Sequence, residues 1–215
     1  MKLLQFIFIL VIAIPMSQAY NITTFPISIY NSNTATMNAA LGIDDSFIIE
    51  DFEDTTLIDG LSIEFEDGQT TPNISSADYY WDGSKHLENY YTNNKWVDVT
   101  LNFDEPVSVL GFGASWFDTD NGINYIYLNG SNTPLTDLDS LPNFHWDRNG
   151  SRRNFYIIIE AEIGESINSI FLPSSNNGSD RFNIDHLALK TVPEPANVLL
   201  FLIFGLIATS GICKK

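Results

Sequence analysis

Clusters of Asn, Asp, Ser, Thr and Gly recur roughly every eight to twelve residues through the middle of this chain, between short aromatic and β-branched runs. Each cluster is a place where the backbone reverses easily, because these side chains bond nearby backbone groups or tolerate left-handed dihedrals. The spacing between them suits strands and leaves no room for ordinary helices. It predicts strands over 46–52, 61–65, 96–103, 107–116, 123–128, 133–138, 155–163, 166–172 and 182–189. Only 35–41 reads as a turn of helix.

The clearest strand alternates strictly. Val97, Val99, Leu101 and Phe103 share one face, and Asp98, Thr100 and Asn102 share the other. Glu105-Pro106 reads as a turn into the next strand. Asn129-Gly130 reads as a type I′ hairpin turn. The apolar run after Phe155 predicts a central strand buried on both faces. The expected fold is all-β, a single antiparallel β-sandwich of jelly-roll type.

Both ends of the 215-residue chain are apolar. Lys2 precedes an almost unbroken apolar run from Leu3 to Ile14, Pro15 breaks it, and Ser17-Gln18-Ala19 places small residues where a signal peptidase reads. The run falls short of the roughly 20 residues that a membrane span needs, so residues 1–19 read as a signal peptide and Tyr20 as the mature start. At the other end, Pro193-Glu194-Pro195 precedes a hydrophobic segment closed by Cys213-Lys214-Lys215. At ~1.5 Å per residue that segment just crosses a thin bilayer, with the lysines on the cytoplasmic side.

This order of Pro193-Glu194-Pro195, apolar helix and basic tail resembles the PEP-CTERM sorting domain. The resemblance implies an exosortase-type processing partner and delivery from the membrane to the cell surface or extracellular matrix. It divides the chain into signal peptide 1–19, β-sandwich domain 20–191 and sorting anchor 192–215. The resemblance covers the tail and says nothing of the domain's activity.

The formal charge is −17. From Tyr20 to His145 the basic residues are Lys85 and Lys95 alone, against a large acidic excess. Such a surface repels nucleic acid, whose phosphates need basic partners. The only cysteine is Cys213, so the domain has no disulfide, and packing or a metal must stiffen it.

Phe52-Glu53-Asp54, Phe103-Asp104-Glu105-Pro106-Val107 with Gly111-Phe112, and Phe182-Asn183-Ile184-Asp185-His186-Leu187 are similar to pieces of galactose-binding-like jelly rolls, the architecture of many carbohydrate-binding modules. That resemblance implies a structural calcium ion held by an early acid and the aspartate of the last strand, here Glu53 and Asp185. Calcium takes hard oxygen ligands in irregular geometry, and the same acids serve equally as turn caps and solvated charges. The Asp118-Thr119-Asp120-Asn121-Gly122 segment also resembles the opening of a calcium loop. However, Ile123 stands where an EF-hand needs Gly, and Asn129 where it needs a carboxylate.

Aromatics crowd the stretch from Tyr79 to Trp96. Flat rings stack on sugar rings while Asp and Asn bind hydroxyls, so Tyr80, Trp81, Asp82, Tyr91 and Trp96 are the expected carbohydrate contacts. Tyr and Trp are also ordinary strand residues that pack across a sheet. No nucleophile elbow, phosphate loop or His-rich metal motif occurs, and His86, His145 and His186 are scattered. The chain therefore reads as a non-catalytic surface protein that binds extracellular polysaccharide. The alternatives are a hydrolase using a carboxylate pair such as Glu64 and Glu160, or a purely structural matrix component. Asn21, Asn73, Asn129, Asn149 and Asn177 open Asn-x-Ser/Thr triplets, which in a bacterial host reflect composition. Mass spectrometry of the surface fraction should find a chain starting at Tyr20 and lacking the C-terminal apolar helix. The intact chain from Met1 to Lys215 in that fraction would contradict the sorting reading.

Overall fold

A computed structural model of the chain describes residues 20–76, 81–93, 95–117, 125–137, 141, 153–174 and 181–192. The strands are β1 (Tyr20–Pro26), β2 (Ile48–Glu50), β3 (Leu61–Phe65), β4 (Ile74–Ser75), β5 (His86–Glu88), β6 (Tyr91–Thr92), β7 (Lys95–Trp96), β8 (Val99–Phe117), β9 (Tyr125–Leu128), β10 (Thr136–Asp137), β11 (Arg153–Ala161), β12 (Ile167–Leu172) and β13 (Asn183–Thr191). One short helix, α1 (Thr34–Leu41), stands among them. The architecture is all-β and sandwich-like, and every strand pair among the described residues is antiparallel.

β8 organises the rest. Its first part, from Val99, pairs with β3 on one side and β12 on the other; its second part, to Phe117, pairs with β11 and β13. The expected turn at Glu105-Pro106 does not form, and the two strands predicted around it are one. Pro106 lacks an N–H, so it must sit where the ladder needs no donor. It lies in an exposed stretch, 104–106, where the register against β12 shifts between Ile167 and Ser169. The inward set changes there from Val99, Leu101 and Phe103 to Leu110, Phe112 and Ala114. A bulge of this kind lets one strand pass from one layer to the other.

Both parts of β8 face a shared apolar core, which β11 enters through Phe155, Ile157 and Ile159 and β12 through Ile170 and Leu172. A smaller cluster covers the opposite face of the second part, where Met37 and Leu41 of α1 meet Trp81, Tyr156 and Ile158. β11 is thus buried on both faces, as its apolar run predicts.

Other boundaries move. The expected strand 46–52 is reduced to β2, because Asp44 caps the turn before it by accepting from Ser46 N (2.9 Å). β1 was not expected; it adds to the edge of β11 from Tyr20↔Ala161 to Pro26↔Phe155. Helix α1 is two turns long, started by Asn33 Oδ1 accepting from Thr36 N (3.0 Å). Asn129 and Gly130 both take positive φ, 54° and 67°, and Ser131 N donates to Leu128 O (2.9 Å), a type I′ turn. Residues 1–19, the Asp118 segment and the tail, with Pro193, Glu194 and Pro195, lie outside the described residues. Among those described, no helix is long and apolar enough to cross a membrane.

Candidate functional site

The second part of β8 carries Gly111 and Gly113 on the face away from the main core, and that gap admits a large side chain. Trp81 fills it. A Cβ at Gly113 would stand 1.9 Å from Trp81 Cδ1, so only glycine permits the approach. Trp81 is 1 % exposed and packs edge-on against Tyr156, with ring centroids 5.4 Å apart. Asp82, also buried, bonds His186 Nδ1 through Oδ2.

Two carboxylates hold the segment that bears these residues. Asp185 accepts the backbone N–H of Trp81, that of Asp82 (3.0 Å) and that of His186 (2.7 Å). Glu53 accepts the backbone N–H of Ser84 and Lys85 (2.8 Å) and the hydroxyl of Ser84 (2.9 Å), while Lys85 Nζ donates to the Glu53 carbonyl (2.5 Å). Gly83, at φ 52°, makes room for the Glu53 carboxylate. His186, also at positive φ, sits in a bulge of β13 between Asp185 and Ala188, and the Tyr156 hydroxyl donates to its carbonyl (2.9 Å). Burial, and then the Asp82 carboxylate, raise the pKa of Asp185 well above the usual carboxylate range. Burial first, then Asp82 and Asp185, raise Tyr156, which stays protonated as a donor.

Glu53 and Asp185, the expected calcium pair, therefore do act on one segment, 81–85, but their oxygens face N–H donors. Among the described residues no group of three His, Cys, Asp or Glu is placed to hold a metal. Trp81 and Asp82, expected to touch sugar, are buried and engaged within the protein. Tyr80 lies outside the described residues.

Tyr91 and Trp96 differ. They face each other across the β6–β7 hairpin, ring centroids 5.5 Å apart, with Tyr91 56 % exposed and Trp96 half-buried. Lys95 on the same hairpin pairs with Glu66 (2.7 Å), and Tyr90 meets Phe65 edge-on (4.8 Å), so the hairpin is tied to the end of β3. The Glu64 and Glu160 pair does not form a catalytic dyad. Glu64 lies opposite Thr100 and Glu160 opposite Val109, nine positions apart (109 − 100) along β8. At ~3.3 Å per residue they are far beyond the roughly 5–9.5 Å that glycoside hydrolysis requires.

A polar row missed by the sequence reading lies beside Trp81. His86 and Glu88 of β5, Asn183 of β13, Ser115 of β8 and Asn154 of β11 are all buried on the face away from the main core. The signal for it, polar residues alternating with Leu87, Ile184, Ala114 and Phe155, is what any exposed face would show. Glu88 pairs with Arg181. Neither ring nitrogen of His86 has a hydrogen-bond partner among the described residues. Burial, and then the Arg181 charge, lower its pKa from 6.5 to about 4.

A neutral histidine of this kind stabilises the fold fully above pH 6.5, and its contribution is lost as pH falls toward 4, because the unfolded chain takes up the proton first. The full span amounts to about 3 kcal/mol. Urea unfolding across this window should show a steeper acid loss for the native chain than for His86→Leu. Parallel curves would contradict the assignment.

No family model matches the chain, and no curated protein and no solved structure is similar to it.

Proposed function

We propose that the chain is an exported, exosortase-sorted surface or matrix protein whose jelly-roll domain binds extracellular polysaccharide without catalysis. The address rests on the two ends of the sequence, an N-terminal secretory signal and a Pro193-Glu194-Pro195 tail with its apolar segment and basic end. The observation that carries the glycan reading is the Tyr91–Trp96 pair. Large aromatic rings are usually covered, and Trp81, Tyr156 and Phe52 are. Tyr91 and Trp96 instead stand on a two-stranded hairpin outside the main sheet, beside the Lys95–Glu66 pair. Rings already held edge to face offer a sugar an apolar surface with little further loss of conformational entropy. A purely structural matrix component would need no such pair.

The test is affinity electrophoresis of the purified full chain in gels containing soluble polysaccharides. The native chain should be retarded by at least one of them. Tyr91→Ala and Trp96→Ala should each weaken retardation by about tenfold, the scale of one aromatic contact. Equal mobility in every gel would contradict polysaccharide binding.

A further inference from the structure

A second aromatic surface lies on the first part of β8, far from Trp81. Alternation points Thr100 outward between the fully buried Val99 and Leu101, and Phe171 outward between Ile170 and Leu172. Tyr127 points outward between Ile126 and Leu128, and Glu64 between Ile63 and Phe65. Strand register then aligns all four: Glu64↔Thr100, Thr100↔Phe171 and Phe171↔Tyr127. They form one straight row across β3, β8, β12 and β9. At ~4.8 Å between strands the row is roughly 14 Å long, which suits several linked sugar rings better than one.

The surface along this row is concave. A groove of about 450 Å³ lies over Thr100, Tyr127, Asn132, Ser169 and Phe171. A second hollow of about 180 Å³ continues it past Thr100 and Phe171 to Glu64, Glu66 and Asp98. Tyr127 and Phe171 are half-buried, their ring centroids 5.7 Å apart, and they form an apolar floor. The hydroxyls of Thr100 and Ser169 and the amide of Asn132 stand beside them, able to donate and accept as sugar hydroxyls do. Glu66 joins this groove to the Tyr91–Trp96 hairpin through Lys95.

Charge narrows the occupant. Asp98 accepts from Ser174 N and Ser174 Oγ (2.7 Å each), and Glu66 is paired with Lys95. Among the described residues the Glu64 carboxylate has neither a hydrogen bond nor an ion pair, so it presents an uncompensated charge beside the aromatic floor. The chain as a whole carries −17. A polysaccharide bearing uronate or sulfate groups would meet the Glu64 carboxylate in the second hollow, and like-charge juxtaposition discriminates strongly between partners. We infer that the Glu64–Thr100–Phe171–Tyr127 groove seats a short run of an uncharged polysaccharide and rejects polyanionic ones. This rests on the glycan reading above and extends it to a second surface and a substrate class.

The experiment compares the full chain in affinity gels containing neutral glucan, galactomannan or xylan with gels containing alginate or polygalacturonate. At low ionic strength, neutral gels should retard the native chain and polyanionic gels should not. Phe171→Ala and Tyr127→Ala, both outward-facing, should each weaken neutral binding about tenfold. Glu64→Lys should gain retardation by alginate, and circular dichroism should show all three variants folded. Neutral binding abolished by Tyr91→Ala but untouched by Phe171→Ala and Tyr127→Ala would overturn the groove and leave the glycan reading standing. So would retardation of the native chain by alginate as strong as by a neutral glucan. Retardation by no polysaccharide would overturn the glycan reading itself.

Discussion

One strand, β8, hydrogen-bonds four others, and the bulge at 104–106 divides its work. Before the bulge its outward residues are polar and the sheet face is open. After it the outward positions include two glycines, with Tyr156 lying on Gly111 and Trp81 on Gly113. The two halves therefore acquire opposite characters from one continuous backbone. A turn at Pro106 would have separated them into independent strands, with no requirement that the open face and the covered face share a register.

The covered face explains why acidity does not pull this part of the molecule apart. Asp82 and Asp185 are buried close together, which would be costly for bare charges. Both Asp185 oxygens accept backbone N–H groups and Asp82 Oδ2 meets the His186 ring, so the two side chains order the 81–85 segment. Glu53 does the same at the other end of that segment, and Glu50 accepts from Phe52 N and Ile58 N (2.8 Å each) in the loop before it. In a domain without disulfides, side chain to backbone bonds of this kind hold the loops, each contributing about 1.5–3 kcal/mol when the acceptor is charged.

The strands were legible wherever alternation was unbroken. Val99, Leu101 and Phe103 are inward as their spacing implies, and Asn129-Gly130 turns as its dipeptide implies. Pro106 was misread because proline marks a missing donor, and a bulge satisfies that requirement as well as a turn does. β1 escaped because Tyr20 to Pro26 has a mixed pattern whose pairing depends on β11, more than a hundred residues away. The site residues divided on burial, which composition does not encode. Trp81 and Trp96 look alike in sequence, but only Trp81 has Gly113 beneath it, and that juxtaposition is long-range. Phe171 and Tyr127 sat in ordinary strand patterns, and only their shared register made them a surface.

On the function proposed here, recognition belongs to the open half of the sheet and mechanical integrity to the covered half. Hydrogen–deuterium exchange of the full chain, with and without a soluble neutral glucan or galactomannan that binds it, separates these roles directly. The account predicts added protection in peptides spanning 98–102, 127–132 and 169–171, together with 91–96, and none at 81–86 or 183–186. Protection confined to 81–86 and 183–186 would place the ligand over the Asp82–His186 cluster and contradict the assignment.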